Sequence, residues 1–219
     1  MELRDYCMIT TDELLKILSK KNNAKRVDRY IYIDNGESVL AVAHADVHPR
    51  IASQLSFREA GSESGTGTYV YSPYLDDRLG IYAIFEKLPN LGIDIDVLIT
   101  DGEETGKSSA REFSRNCHKN YNWIVEFDRR GEDVVLYEYK NQQMKKGLKQ
   151  AGFSIGEGIR SDISHMQSLG IACFNVGIGF HHEHYPDCWA DLAIFHKQLG
   201  RFEEFYRTNR DQIFKNEAR

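Results

Sequence analysis

Residues 38–46 read Ser38-Val-Leu-Ala-Val-Ala-His44-Ala-Asp46: an unbroken apolar run, rich in β-branched residues, that ends abruptly on a histidine and an acid. An apolar run without alternation is the mark of a strand buried on both faces, as in a parallel sheet covered by helices. A polar pair directly after such a run therefore sits at a carboxyl strand end, where open α/β sheets bind ligands. Outward from this stretch the texture repeats. Tyr30–Asp34 (YIYID) and Gly67–Ser72 (GTYVYS) read as strands, as do Ile95–Thr100 (IDVLIT), Trp123–Phe127, Val134–Tyr139 and Ala172–Ile178. Between them, Asp77–Leu88, Ser108–Cys117, Gln142–Ala151 and Ala190–Tyr206 carry helical spacing. Thr10–Lys20 is a further helix, opened by a Thr10/Glu13 capping box. The alternation predicts an α/β three-layer sandwich, a mostly parallel central mixed β-sheet with helices on both faces.

The 219 residues fit one α/β domain, 1–219, with no repeat, charge block or composition shift to mark a second. A chain this long buries roughly 70% of its unfolded surface, so a metal is not needed to hold the fold together. Hydrophobic residues at 41% and charged residues at 28% exclude a disordered or low-complexity chain. The net charge of −5 supplies no field for a polyanion, so no nucleic-acid partner is expected. No apolar run spans a bilayer and the amino terminus lacks the order of a signal peptide, so the expectation is a soluble protein with no membrane partner. Cys7, Cys117, Cys173 and Cys188 show no metal-binding spacing, which fits a reducing cytoplasm. Two loops, Glu59–Gly67 and Gly156–Ser164, are candidates to border a site.

Four more apolar runs end as the first does. TYVYSPYL delivers Asp76-Asp77-Arg78, DVLIT delivers Asp101-Gly-Glu103-Glu104, NWIVEF delivers Asp128, and FNVGIG leads to His181, His182, Glu183 and His184. Singly, each has a plain structural explanation: a helix cap for Asp76 or Asp77, a solvated pair at a helix start for Glu103 and Glu104, a salt-bridged turn for Asp128. Jointly they would gather many like charges, which is costly unless cations neutralise them. Imidazole mixed with carboxylate, without cysteine, suits Zn²⁺, with Mn²⁺ or Co²⁺ as substitutes.

The ordered set His44-x-Asp46, Leu75-Asp76-Asp77-Arg78-Leu-Gly80, Thr100-Asp-Gly-Glu103-Glu104-Thr-Gly106, Glu126-Phe-Asp128 and Gly179-Phe-His-His-Glu-His184 resembles the co-catalytic di-zinc exopeptidases. That group holds the zinc aminopeptidases, peptidase T and the glutamate carboxypeptidases. The likeness spans residues 44–184. It implies two Zn²⁺ ions: His44 and Asp128 on one, Glu104 and His184 on the other, and Asp76 bridging them. It further implies Glu103 as general base and Asp46 as the carboxylate that fixes a ligand imidazole. His182 is the second choice for the last ligand. The intervals 47–75 and 129–183 are too short for the lid or dimerisation insert of larger relatives, which leaves a bare catalytic domain and an open oligomeric state.

The expected activity is hydrolysis of short peptides, an aminopeptidase first, with a free amino group held by a spare carboxylate such as Glu126 or Asp77. The alternatives are a small-molecule amidase or deacylase on the same site, a two-metal nuclease using Lys107, and a metal-binding module without activity. His48, four after His44, is read as a structural residue, the alternative being a site role as an HxxxH pair with His44; Arg160 and Asp162 read as a turn, at the place where the resembled family has substrate-contacting residues; and Tyr74 reads as a sheet residue, the alternative being a place at the pocket's border.

Overall fold

The computed structural model describes residues 1–61 and 67–217. Its strands are β1 (Ala24–Val27), β2 (Tyr30–Ile33), β3 (Val39–His44), β4 (Arg58–Gly61), β5 (Thr68–Tyr71), β6 (Asp96–Thr100), β7 (Trp123–Arg129), β8 (Asp133–Val135), β9 (Ser154–Ile155), β10 (Cys173–Gly177), β11 (Phe180–His181) and β12 (Trp189–Asp191). Its α-helices are α1 (Leu3–Cys7), α2 (Thr11–Leu18), α3 (Leu75–Tyr82), α4 (Leu88–Asn90), α5 (Ala110–Asn116), α6 (Gln142–Gln150) and α7 (Leu192–Asn209).

The main sheet runs β1-β2-β6-β3-β7-β10-β8-β9. Its centre, β6-β3-β7-β10, is parallel, and antiparallel β2 and β8 flank it. Every residue of β3, β6 and β10 is buried, as expected of strands covered on both faces. With helices packed over the sheet the architecture is the three-layer α/β sandwich. Trp123, at the start of β7, is fully buried in an aromatic cluster with Phe174, Phe202 and Phe205, which ties α7 to the sheet.

The expected strand at 67–72 forms, but as β5 of a second, wholly antiparallel sheet ordered β11-β12-β5-β4. The expected strand 134–139 stops at Val135, because Tyr137 takes a left-handed backbone (φ 47°) that no strand accommodates. The final helix begins at Leu192 rather than Ala190: residues 189–191 pair with β5, and Asp191 caps the helix by accepting from Ala193 N. Part of the loop expected at 59–67 forms β4, while residues 62–66 lie outside the described ones.

Where α3 meets β7 the approach is close. A Cβ on Gly80 would lie 2.2 Å from Asp77 Oδ1 and 2.5 Å from the Phe127 carbonyl oxygen, and Gly80 N already donates to Asp77 Oδ1. Gly80→Ala is therefore expected to lower stability by about 1–3 kcal/mol through overpacking. Urea unfolding checks this, and a midpoint equal to the parent's would show that the contact can relax.

Candidate metal centre and its cleft

The sheet handles a buried acid in two contrasting ways. Asp96, at the amino end of β6, is fully buried but well supplied with donors: Lys119 Nζ at 2.6 Å, the Tyr32 and Tyr121 hydroxyls, and the Asn35 and Glu37 backbone N–H groups. At the carboxyl ends of the strands, Asp76, Asp77, Glu103, Glu104, Glu126, Asp128 and Asp162 gather with no lysine or arginine ion pair among the described residues. Imidazoles reach Asp76, Asp128 and Glu104, while Asp77, Glu126 and Asp162 accept from neutral N–H and hydroxyl donors, an arrangement that leaves much negative charge desolvated.

Asp76 stands at the centre. Its Oδ1 lies 3.0 Å from His44 Nε2 and its Oδ2 lies 3.3 Å from His184 Nε2. His44 Nε2 is also 3.6 Å from Asp128 Oδ1, and His184 Nε2 is 2.9 Å from Glu104 Oε2. The donor atoms of His44, Asp76 and Asp128 all fall within 4.8 Å of one another, as do those of His48, Glu104 and His184.

Each side chain is placed by local structure. His44 ends β3, and Asp77 Oδ2 accepts from its backbone N–H at 3.3 Å. Asp76 and Asp77 lie in the first turn of α3, where the backbone is non-helical, and Asp77 Oδ1 accepts from Gly80 N of the same helix. Asp128 lies near the end of β7, where Asn175 of β10 exchanges two hydrogen bonds with its backbone beside a register shift between the two strands. Glu103 and Glu104 ride a turn after β6 closed by Gly106 N to Glu103 O and Lys107 N to Gly102 O, both 2.8 Å. Gly102 must be glycine, since its φ is 85° and a Cβ would meet the Lys107 carbonyl oxygen at 2.7 Å. His184 itself has φ 67°, uncommon outside glycine, and its ring meets Asp76.

Asp46 supports both halves. Its carbonyl oxygen lies 3.0 Å from His44 Nδ1, its carboxylate 3.5 Å from the same nitrogen, and its two carboxylate oxygens accept from Glu103 N (3.2 Å) and Glu104 N (3.1 Å). The carboxylate expected to fix an imidazole thus chiefly holds the Glu103–Glu104 turn, and its backbone oxygen makes the shorter contact to the ring.

The charges respond to this crowding. Burial pushes the Asp128 carboxyl well above its usual range, with Asp76 adding to the rise. Burial also raises Asp76, but hydrogen bonds from His184 and His44 reverse the effect and hold it below the usual range. His184 is pushed up to about 10 by its bonds to Asp76 and Glu104. In His44, burial favours the neutral ring, yet Asp128 and its other acid neighbours raise it well above the ordinary value. Glu103 is pushed up to about 7 by burial, with Asp162, Asp76 and Glu104 raising it and His44 opposing. Protons held on the imidazoles thus offset the carboxylates, a task that divalent cations would perform on the same atoms. Glu104 Oε1, buried and without a hydrogen-bond partner, is the further sign that this donor set fits a metal.

A cleft opens over these groups in two lobes, of about 700 and about 430 Å³. Glu103, His184, Tyr137, Ile159 and Arg160 line both; His48 and Glu104 line the larger, Asp76 and Asp128 the smaller. The segment 156–164 does border the site, through Glu157, Gly158, Ile159, Arg160 and Ser164. Several expected residues stand elsewhere. His182 is exposed and meets Asp187. Tyr74 is buried, its hydroxyl donating to the Ala52 carbonyl. Glu126 is sealed by the Ser161 hydroxyl and Asp162 N, and Asp77 is spent on His44 N and Gly80 N, so neither is free to hold a substrate amino group. Asp162 accepts from Thr100 and Ser108. His48 and Arg160 are residues whose place the sequence understated; the signal for His48 was its position just after the His44–Asp46 pair, and for Arg160 its place in the 156–164 loop.

No family model and no curated protein matches the sequence. Solved structures do match in fold. A tripeptidase from Staphylococcus aureus superposes with TM-score 0.67 at 11% identity, covering 94% of this chain and 96% of its own. The aminopeptidase PepT from Bacillus cereus gives 0.66 at 11%, covering 93% and 95%. An aminopeptidase from the archaeon Desulfurococcus kamchatkensis gives 0.66 at 11%, covering 94% of each. The chain has the three-layer α/β fold of these peptidases.

Proposed function

We propose that the chain is a metal-dependent hydrolase of short peptides, an aminopeptidase in the first instance. One observation carries the reading: the two oxygens of a single carboxylate, Asp76, address two different imidazoles, each backed by a further carboxylate. His44, Asp76 and Asp128 would hold one divalent cation, and Glu104, His184 and Asp76 a second, with zinc favoured by the mixed nitrogen and oxygen donors. Such a pair supplies Lewis acidity, lowering the pKa of a water and polarising the scissile carbonyl. The peptidase names of the fold neighbours agree with this chemistry.

Glu103 is the proton carrier. It lines both lobes, has no place in either donor group, and is buried enough to hold a proton near neutrality. As the water oxygen adds to the carbonyl carbon, Glu103 takes its proton; as the C–N bond breaks, it returns that proton to the leaving nitrogen. Asp46 keeps the Glu103–Glu104 turn and the His44 ring in register for this exchange. The chain would act as one catalytic domain. No cysteine is in a disulfide among the described residues, which suits a reducing compartment. No helix among them is long and apolar enough to cross a membrane.

A panel of di- and tripeptides, aminoacyl anilides and N-acyl amino acids, assayed with added Zn²⁺, Mn²⁺ or Co²⁺, tests the proposal. Release of amino-terminal residues is the expected result. Turnover confined to N-acyl amino acids would replace the peptidase by a deacylase.

A further inference from the structure

His48 follows the His44–Asp46 pair in sequence and lies over the opposite end of the centre in space. Its ring stacks on His184 with centroids 4.6 Å apart and planes inclined by 23°. A ring nitrogen falls within 4.8 Å of the donor atoms of both Glu104 and His184, and the half-buried side chain lines the larger lobe of the cleft beside Glu103. The proximity alone would suit a metal ligand. The ring's other contact argues against it: Arg50 N donates to His48 Nδ1 at 3.3 Å, inside a turn closed by Ile51 N to His48 O at 3.0 Å. A neutral imidazole that accepts at Nδ1 carries its proton on Nε2, and a nitrogen bearing a proton is a donor rather than a ligand.

We propose that His48 is a catalytic residue that donates Nε2–H to the substrate's carbonyl oxygen as negative charge develops there. The inference rests on the peptidase reading above. When the water oxygen adds to the carbonyl carbon, the π electron pair moves onto the carbonyl oxygen; His48 hydrogen-bonds that oxygen without transferring its proton. When the C–N bond breaks, the pair returns to restore the carbonyl. The turn that binds Nδ1 orients the donor before substrate arrives, and a donor fixed in advance is what makes such a bond worth more to the transition state than to the ground state.

Two substitutions separate donation from packing. His48→Phe keeps an aromatic ring for the stack and loses the donor; His48→Gln loses the ring and keeps an N–H group. The expected results are a fall in kcat of about 10²-fold for His48→Phe, with KM nearly unchanged, and substantial recovery in His48→Gln. Affinity for a phosphinate dipeptide analogue, which mimics the tetrahedral oxyanion, should fall in parallel for His48→Phe, measured by calorimetry on metal-loaded protein. Metal content should equal the parent's in both variants. Retained turnover in His48→Phe with loss in His48→Gln would overturn the proposal in favour of a packing role, and loss of a metal equivalent in both would make His48 a ligand. A parent protein that neither cleaves the peptide panel nor binds the phosphinate would overturn the peptidase reading and this inference together.

Discussion

Glu103→Gln is expected to lower turnover by about 10²-fold or more while leaving the metal content of the protein unchanged. The substitution keeps the size and the hydrogen-bonding shape of the side chain but removes its capacity to take a proton. The backbone of residue 103 stays anchored by Asp46 Oδ1 and by the turn through Gly106 N, so the neighbouring Glu104 carboxylate keeps its place beside His184. Glu103 belongs to neither donor group, whereas Glu104 belongs to one. The adjacent acids on this turn differ in surroundings, as the proposed roles require: the first faces the cleft with a carboxyl raised by burial, the second meets an imidazole. Steady-state kinetics on the best substrate of the panel, alongside elemental analysis, checks both halves of the prediction. Unaltered kcat in Glu103→Gln would assign the proton transfer to another group.

Asp76→Ala should be the more damaging change to binding. Asp76 is the single residue shared by the two halves of the centre, through Oδ1 toward His44 and Oδ2 toward His184. Its loss removes a donor from each side at once and leaves Asp128 and Glu104 to face the imidazoles alone. Loss of a supporting partner behind a ligand typically weakens metal affinity roughly 10–100-fold, and removal of a shared ligand should exceed that at both positions. The expected outcome is a protein that keeps its far-ultraviolet circular dichroism but retains no metal after gel filtration. Two bound equivalents in folded Asp76→Ala would exclude the bridging role.

The parallel core was legible in the sequence because a strand buried on both faces announces itself: VLAVA and DVLIT are continuous apolar runs, and their polar endings marked the site without any knowledge of pairing. The second sheet was not legible. β4 reads Arg-Glu-Ala-Gly and β12 Trp-Ala-Asp, with no period of their own, and they are strands only because distant partners such as Tyr71 pair with them. The same limit applies at the centre. His44, Asp76, Glu104, Asp128 and His184 each followed an apolar run and so stood out, and the fold brings them together. Which carboxylates face the cleft and which are sealed depends on contacts made across the chain, as when Ser161 covers Glu126 or Arg50 fixes the ring of His48.

The proposed hydrolysis requires a cation pair held between His44, Asp128, Asp76, Glu104 and His184. The most direct measurement is the metal content of the protein prepared without chelator, equilibrated with Zn²⁺ and freed of excess, by inductively coupled plasma spectrometry. Two equivalents of divalent metal per chain, kept in Glu103→Gln and lost in Asp76→Ala, is the result predicted. Less than one equivalent in the folded parent protein would contradict a two-metal centre and the hydrolysis built on it.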